Sequence, residues 1–249
     1  MFVGLKLIRM KKIIIIGATS GIGLEVAKCY INAGWRVGIA GRREDLLKRL
    51  QETAPEQVVS QVIDVTKEDA PTNLSHLIES LGGMDVFLLS SGIGKQNHAL
   101  NPDIELNTMR TNGEGFVRMV TAAYNHFAKH GNGHIAVISS IAGTKGLGSA
   151  PAYSATKAFQ NTYIDALAQL ANMNKQKISF TDIRPGFVAT DLLTSGSYPM
   201  LMDAAKVGKT IFKALKKKKR IVVIDARYRF IVFVWRLIPR WLWERMPIK

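Results

Sequence analysis

Residues 11–23 read KKIIIIGATSGIG. Four consecutive isoleucines leave no polar alternation, so the run describes a strand buried on both faces, as the strands of a parallel sheet are. Gly17, Gly21 and Gly23 follow at once, and beyond them the apolar pattern changes to a helical period. Strand, glycine loop and helix in that order let backbone amides approach a phosphate, with the positive end of the helix behind them. Glycines also serve plain strand-to-helix packing; the position after the opening strand of an alternating chain is what favours a nucleotide.

Outward from this stretch the alternation continues. Helical patterns over about 21–33, 44–53, 73–81, 105–129, 152–173 and 203–215 separate the strand-like runs WRVGIAG, QVVSQVIDV, MDVFLLSSG, GHIAVISS, KISFTDIRPG and RIVVID. Strands alternating with helices of this length require crossover connections, and the expected fold is α/β: a doubly wound, mostly parallel sheet of seven strands with helices on both faces. There is no solenoid-period repeat and no low-complexity linker. One domain is expected over 12–224, preceded by a leader (1–11) and followed by a basic, aromatic tail (225–249). MFVGLKLIR is too short for a secretory signal, and Met10 offers an alternative start.

At 249 residues, 47% hydrophobic and 8% aromatic, the chain has the composition of a globular protein with one substantial core. The lone cysteine, Cys29, excludes an internal disulfide and falls in a helical pattern where a packed thiol is expected. The net charge of +15 is concentrated at the end: from Lys206 onward fourteen Lys/Arg face two Asp/Glu, which leaves +3 for everything before. A nucleic-acid binder would spread such charge over its fold or a recognition element, so no nucleic-acid partner is expected. No metal is expected.

The end of the second strand bears on the cofactor. A carboxylate there would accept from the adenosine ribose and repel a 2'-phosphate, whereas arginine would bind that phosphate. This chain has AGRRED, with Gly41 at the carboxylate position and Arg42 and Arg43 next, which points to NADP(H); a solvated helix start is the plainer alternative. Asp64, closing the third strand, suits either an adenine contact or a strand-end turn.

In motif order the chain resembles the short-chain dehydrogenase/reductase family over about 12–224: GATSGIG, RTNGEG with Asn112, ISSIAG with Ser140, YSATK with Tyr153 and Lys157, and RPGFVAT. The resemblance implies a Rossmann-type fold and an oxidoreductase that interconverts a ketone or aldehyde with an alcohol. It makes Tyr153 the acid/base, Lys157 its activator and a ribose ligand, Ser140 the group orienting the carbonyl, and Asn112 part of a proton relay through water. Ser140 is chosen over Ser139 because the family serine stands thirteen positions before the tyrosine. The implied cofactor-binding set is Gly17, Thr19, Ser20, Gly21, Ile22, Gly23, Arg42, Arg43, Asp64, Val65, Ser90, Gly92, Tyr153, Lys157, Pro185, Gly186, Val188 and Thr190. The physics of the pair is that a tyrosine titrates near pH 10 and a neighbouring ammonium favours its phenolate.

One departure stands out: where the family has Asn-Asn-Ala-Gly after the fourth strand, this chain has Leu89, Ser90, Ser91 and Gly92. Another feature is the tail, ARYRFIVFVWRLIPRWLWERMPIK, beside the Lys216–Arg220 basic run. Its aromatics and arginines suit an element in a membrane interface, at the inner face of a membrane in a cytoplasmic protein. Family members also use this segment to cover the pocket or to pack on a sister subunit, and the resemblance implies a dimer or tetramer. The loop over about 192–202 carries Tyr198, Pro199 and Met200 but no charged residue, which disfavours a highly anionic substrate. A different class stays open: a nucleotide-binding relative with residual catalysis that acts by interaction at a membrane.

Overall fold

The computed structural model describes residues 10–193 and 198–248. The leader residues 1–9 and positions 194–197 of the loop over 192–202 lie outside the described residues. β1 (Lys12–Ile16) is the isoleucine run, and it pairs in parallel with both β2 (Arg36–Gly41) and β4 (Val86–Leu89). With β3 (Val58–Val62), β5 (Asn132–Ile138), β6 (Lys177–Pro185) and β7 (Ile221–Ile224) the sheet order is β3-β2-β1-β4-β5-β6-β7, and every pairing among them is parallel. The chain winds outward in both directions from the β1/β4 pair, so a crevice opens at the carboxyl ends of those strands.

The strand period of two divides the core. Ile14 and Ile16 face one layer with Phe87, Leu89 and Ile135, and Ile13 and Ile15 face the other with Leu88 and Ile183. The first layer is closed by α3 (Ala70–Leu81), α5 (Phe116–His130) and α6 (Pro151–Met173), through Leu74, Phe127 and Ile164 among others. The second is closed by α1 (Gly21–Asn32), α2 (Glu44–Glu52) and α7 (Ala204–Lys216), through Val26, Leu47 and Ile211. Leu89, the departure after β4, is 3% exposed and sits in this apolar packing, where it brings no polar group that would need a partner.

One expectation about elements is corrected. The single helix expected over 105–129 is α4 (Pro102–Met109), a π-helical turn (Arg110–Gly115) and α5. At Gly115 a Cβ would lie 2.8 Å from Val65 Cγ2, so the helix approaches the strand-end loop closely there. The tail forms α8 (Ala226–Leu237), capped by Asp225, and a single turn, α9 (Arg240–Trp243).

Candidate active site

A cleft of about 780 Å³ runs along the carboxyl ends of β1, β4 and β5. At one end stands the loop between β1 and α1. Gly17 and Gly21 have φ of +90° and +56°, and a Cβ on Gly17 would lie 2.6 Å from the Ser91 amide nitrogen, so only glycine fits against the β4 loop. Ser20 holds the N-cap position of α1 without making a side-chain cap, which leaves first-turn amides for an anion. The Ser20 hydroxyl is taken by Arg43 instead: Nη2 donates to Ser20 Oγ (2.6 Å) and to Thr19 Oγ1 (2.8 Å). Arg42 and Arg43 are both exposed at the rim, beside Gly41, where a Cβ would lie 2.9 Å from Thr19 Cγ2.

Asp64 lines the same rim. Burial alone would raise its carboxyl, but hydrogen bonds from the Thr66 amide (3.0 Å) and hydroxyl (2.8 Å), with the Arg42 charge, lower it below the ordinary value. Its Oδ1 is therefore committed to the strand-end turn. Thr19, Ile22, Val65, Ser90, Gly92, Pro185, Gly186, Val188 and Thr190 also line the cleft. Gly23 and Asn112 do not. Gly23 packs on the loop, where a Cβ would come within 2.1 Å of the Gly17 carbonyl oxygen, and Asn112 is fully buried behind the wall.

At the other end Ser140, Tyr153 and Lys157 meet. α6 starts at Pro151, a favourable first helical residue, and Glu105 Oε2 accepts from the Ala152 amide (2.8 Å), which fixes the turn carrying Tyr153. Four residues on, Lys157 Nζ lies 5.7 Å from the Tyr153 ring centre. Gly94 presses on the other side, where a Cβ would sit 2.8 Å from the ring. Ser140 follows β5; its Oγ accepts from the Ala142 amide (3.1 Å), and its hydroxyl is hydrogen-bonded with the Tyr153 phenol. Ser139 turns away, donating to buried Asp182 and to the Ile183 carbonyl (3.1 Å).

Burial raises Tyr153 above its ordinary value, and the Ser140 hydrogen bond offsets this only in part. Burial likewise pushes Lys157 down to about 8, opposed by the charge of Asp182. Both groups sit in low dielectric, and Nζ is turned to the Ile138 carbonyl (2.9 Å) and Gln160 Oε1 (3.1 Å). The main-chain carbonyl of Asn112 accepts from Gln160 Nε2 (2.8 Å).

A family model described as short chain dehydrogenase matches residues 11–198. The chain belongs to the short-chain dehydrogenase family. It is 31% identical to an uncharacterized oxidoreductase of Myxococcus xanthus (strain DK1622), over 75% of this chain and 76% of that one. It is 29% identical to dehydrogenase/reductase SDR family member 7B of Xenopus tropicalis, over 91% and 81%. Among solved structures it shares the fold of the 3-ketoacyl-(acyl-carrier-protein) reductase from Brucella melitensis complexed with NADH (TM-score 0.76, 22% identity, 86% of this chain and 96% of that one). Actinorhodin polyketide ketoreductase with NADPH is similar to the same degree (TM-score 0.75, 22% identity, 86% and 95%). This short-chain dehydrogenase is thus an oxidoreductase of a Rossmann-like fold whose structural neighbours bind either nicotinamide cofactor.

The tail contributes side chains that the sequence reading did not place in the site: Tyr228, Ile231, Trp235 and Ile248 line the cleft. Tyr228 is the anchor. Its hydroxyl accepts from the Phe187 amide (3.2 Å) and donates to the Pro199 carbonyl (2.9 Å), and its ring covers Gly186. Trp243 Nε1 donates to the Gly146 carbonyl (2.8 Å), and Lys145 Nζ donates to the Ile238 carbonyl (2.8 Å). Gln160 was also passed over, although it stands three residues after Lys157 on the same helix.

Proposed function

We propose that the protein is an NADP(H)-dependent reductase of an apolar ketone or aldehyde, running in reverse as an alcohol dehydrogenase. The observation that carries this is the meeting of Ser140, Tyr153 and Lys157 at one end of a cleft whose other end is a glycine loop rimmed by Arg42 and Arg43. The cradle fits a dinucleotide: Gly17, Gly21 and the uncapped start of α1 would hold the pyrophosphate, the arginines a 2'-phosphate, and Lys157 the nicotinamide ribose. When bound, the nicotinamide supplies hydride to the carbonyl carbon.

The side chains of the chain do the rest. Ser140, whose Oγ accepts from the Ala142 amide and whose hydroxyl is hydrogen-bonded with the Tyr153 phenol, would turn its proton to a substrate carbonyl oxygen. Tyr153, held protonated by its burial, gives that oxygen its proton as negative charge develops. Leu147, Tyr198, Met200, Ile231, Trp235 and Ile248 form the apolar walls that favour a hydrocarbon-bearing substrate. Loss of NADPH absorbance with a series of apolar ketones tests the reading: turnover in the wild type and a fall of at least about a hundredfold in Tyr153→Phe support it. Equal rates in the two proteins would refute it.

The same reading extends to a surface. On α8 and α9 Phe230, Phe233, Leu237 and Trp241 are 61–68% exposed on the side away from the cleft, rimmed by exposed Arg229, Arg236 and Arg240. No described helix is long and apolar enough to cross a membrane. We place this face in an anionic lipid surface at the cytoplasmic side, from which an apolar substrate reaches the adjoining cleft. Salt-sensitive co-sedimentation with anionic vesicles that Phe233→Glu abolishes supports this, and no sedimentation of the wild type refutes it. Leu106, Met109 and Phe159, exposed on α4 and α6, suit self-association in a homo-oligomer. The intact catalytic cluster speaks against a purely membrane-binding role with residual catalysis.

A further inference from the structure

Lys157 is 4% exposed, and among the described residues no carboxylate pairs with it, so its ammonium depends on neutral acceptors. One is the Ile138 carbonyl and the other is Gln160, itself 3% exposed. The far end of the Gln160 amide reaches Asn112, and this fixes its orientation. A main-chain carbonyl only accepts, so Nε2 must face Asn112 and Oε1 must face Nζ, which only donates. The Asn112 side chain is turned to other partners. Its Oδ1 accepts from the Ile93 amide (2.9 Å), and its Nδ2 donates to the Ile93 carbonyl (2.7 Å) and, at 3.3 Å, to Thr156 Oγ1. The carbonyl is on offer because Asn112 lies in the π-helical turn, where the regular helical ladder is interrupted.

We propose that Gln160 is a positioning residue of this site, a fixed amide bridge that takes the place of a water relay between Lys157 and Asn112 and closes the inner end of the site to protons. An amide with this orientation accepts from the ammonium in every turnover and passes no proton onward, so the proton that restores Tyr153 after reduction enters from the mouth of the cleft. The inference rests on the reductase reading for its consequence, and on the geometry alone for the bridge. The charged or titratable groups facing Lys157 are the Tyr153 phenol on its own helix and Asp182 on β6, which is itself paired with Arg184 at 2.6 Å; the π-helical turn presents the uncharged Asn112.

The test reads the Lys157 titration directly, by NMR of lysine labelled with ¹³C at Cε in the cofactor-free protein. Gln160→Leu, close in volume, removes one of two acceptors and should lower the midpoint by about one unit. Gln160→Glu brings a carboxylate to Nζ and should raise it by about as much, so a folding failure in one variant leaves the other decisive. An unchanged midpoint in the folded variants overturns the bridge. Shifted midpoints sustain it, even if the wild type reduces no ketone, a result that would remove the reductase reading alone. With an active wild type, the alkaline limb of kcat should move with the same midpoints.

Discussion

Lys157 carries the sharpest pH consequence at the level of single residues. Burial places its folded value at about 8, below the ordinary lysine value of 10.5, so the ammonium is present below pH 8 and lost above it. With Lys157⁺ as the proposed ribose ligand, kcat/KM for ketone reduction in the free enzyme should fall tenfold per unit above roughly pH 8. A pH profile flat to pH 10 would contradict this. Stability runs the other way: between about 8 and 10.5 the unfolded chain binds a proton that the folded chain does not, so this group's contribution rises with pH in that window. The spacing of four placed Tyr153 and Lys157 on one helix face, while their roles were legible only through the resemblance to the family in motif order. The direction of the phenol shift was not legible, since it depends on how far the surrounding fold excludes water.

Among elements, the strands and most helices were legible from period alone, with β1 the clearest because an isoleucine run admits one environment. The π-helical turn was hidden, because Arg110–Gly115 keeps the amphipathic pattern of its flanks while Gly115 closes on Val65. The tail helix was hidden differently: α8 is apolar on both sides, Tyr228 and Val232 packing inward and Phe230 and Phe233 outward, so no single stripe marks it. Its attachment depends on Gly186, where a Cβ would lie 2.2 Å from the Tyr228 ring. Gly186→Ala should therefore lift the start of α8 from the sheet and cost about 1–3 kcal/mol. The expected readout is faster proteolysis within residues 226–248 with the sheet core still protected; unchanged cleavage would count against Tyr228 as the anchor.

For the whole molecule, the sheet order, the position of the crevice and the uneven charge all bear on stability and binding. His134, at the buried edge of β5 against Thr181 Oγ1 (2.8 Å), is pushed down to about 4 by burial, with a smaller part from Lys218. Its unfolded value is near 6.5, so between 6.5 and 4 the unfolded chain binds the extra proton and stability falls as pH falls. The loss should reach about 3 kcal/mol by pH 4 in urea unfolding, and His134→Gln should lack that part of the pH dependence. In the proposed NADP(H) reading cofactor choice depends on the assembled cleft, with Arg42 and Arg43 on one strand end and the glycine loop on another acting together. Calorimetric titration of the intact protein with NADPH and with NADH, repeated on Arg42→Ala, tests this most directly. The account predicts NADPH binding at least about tenfold tighter, with the preference reduced in the variant. NADH binding as tightly as NADPH, or neither binding, would contradict it.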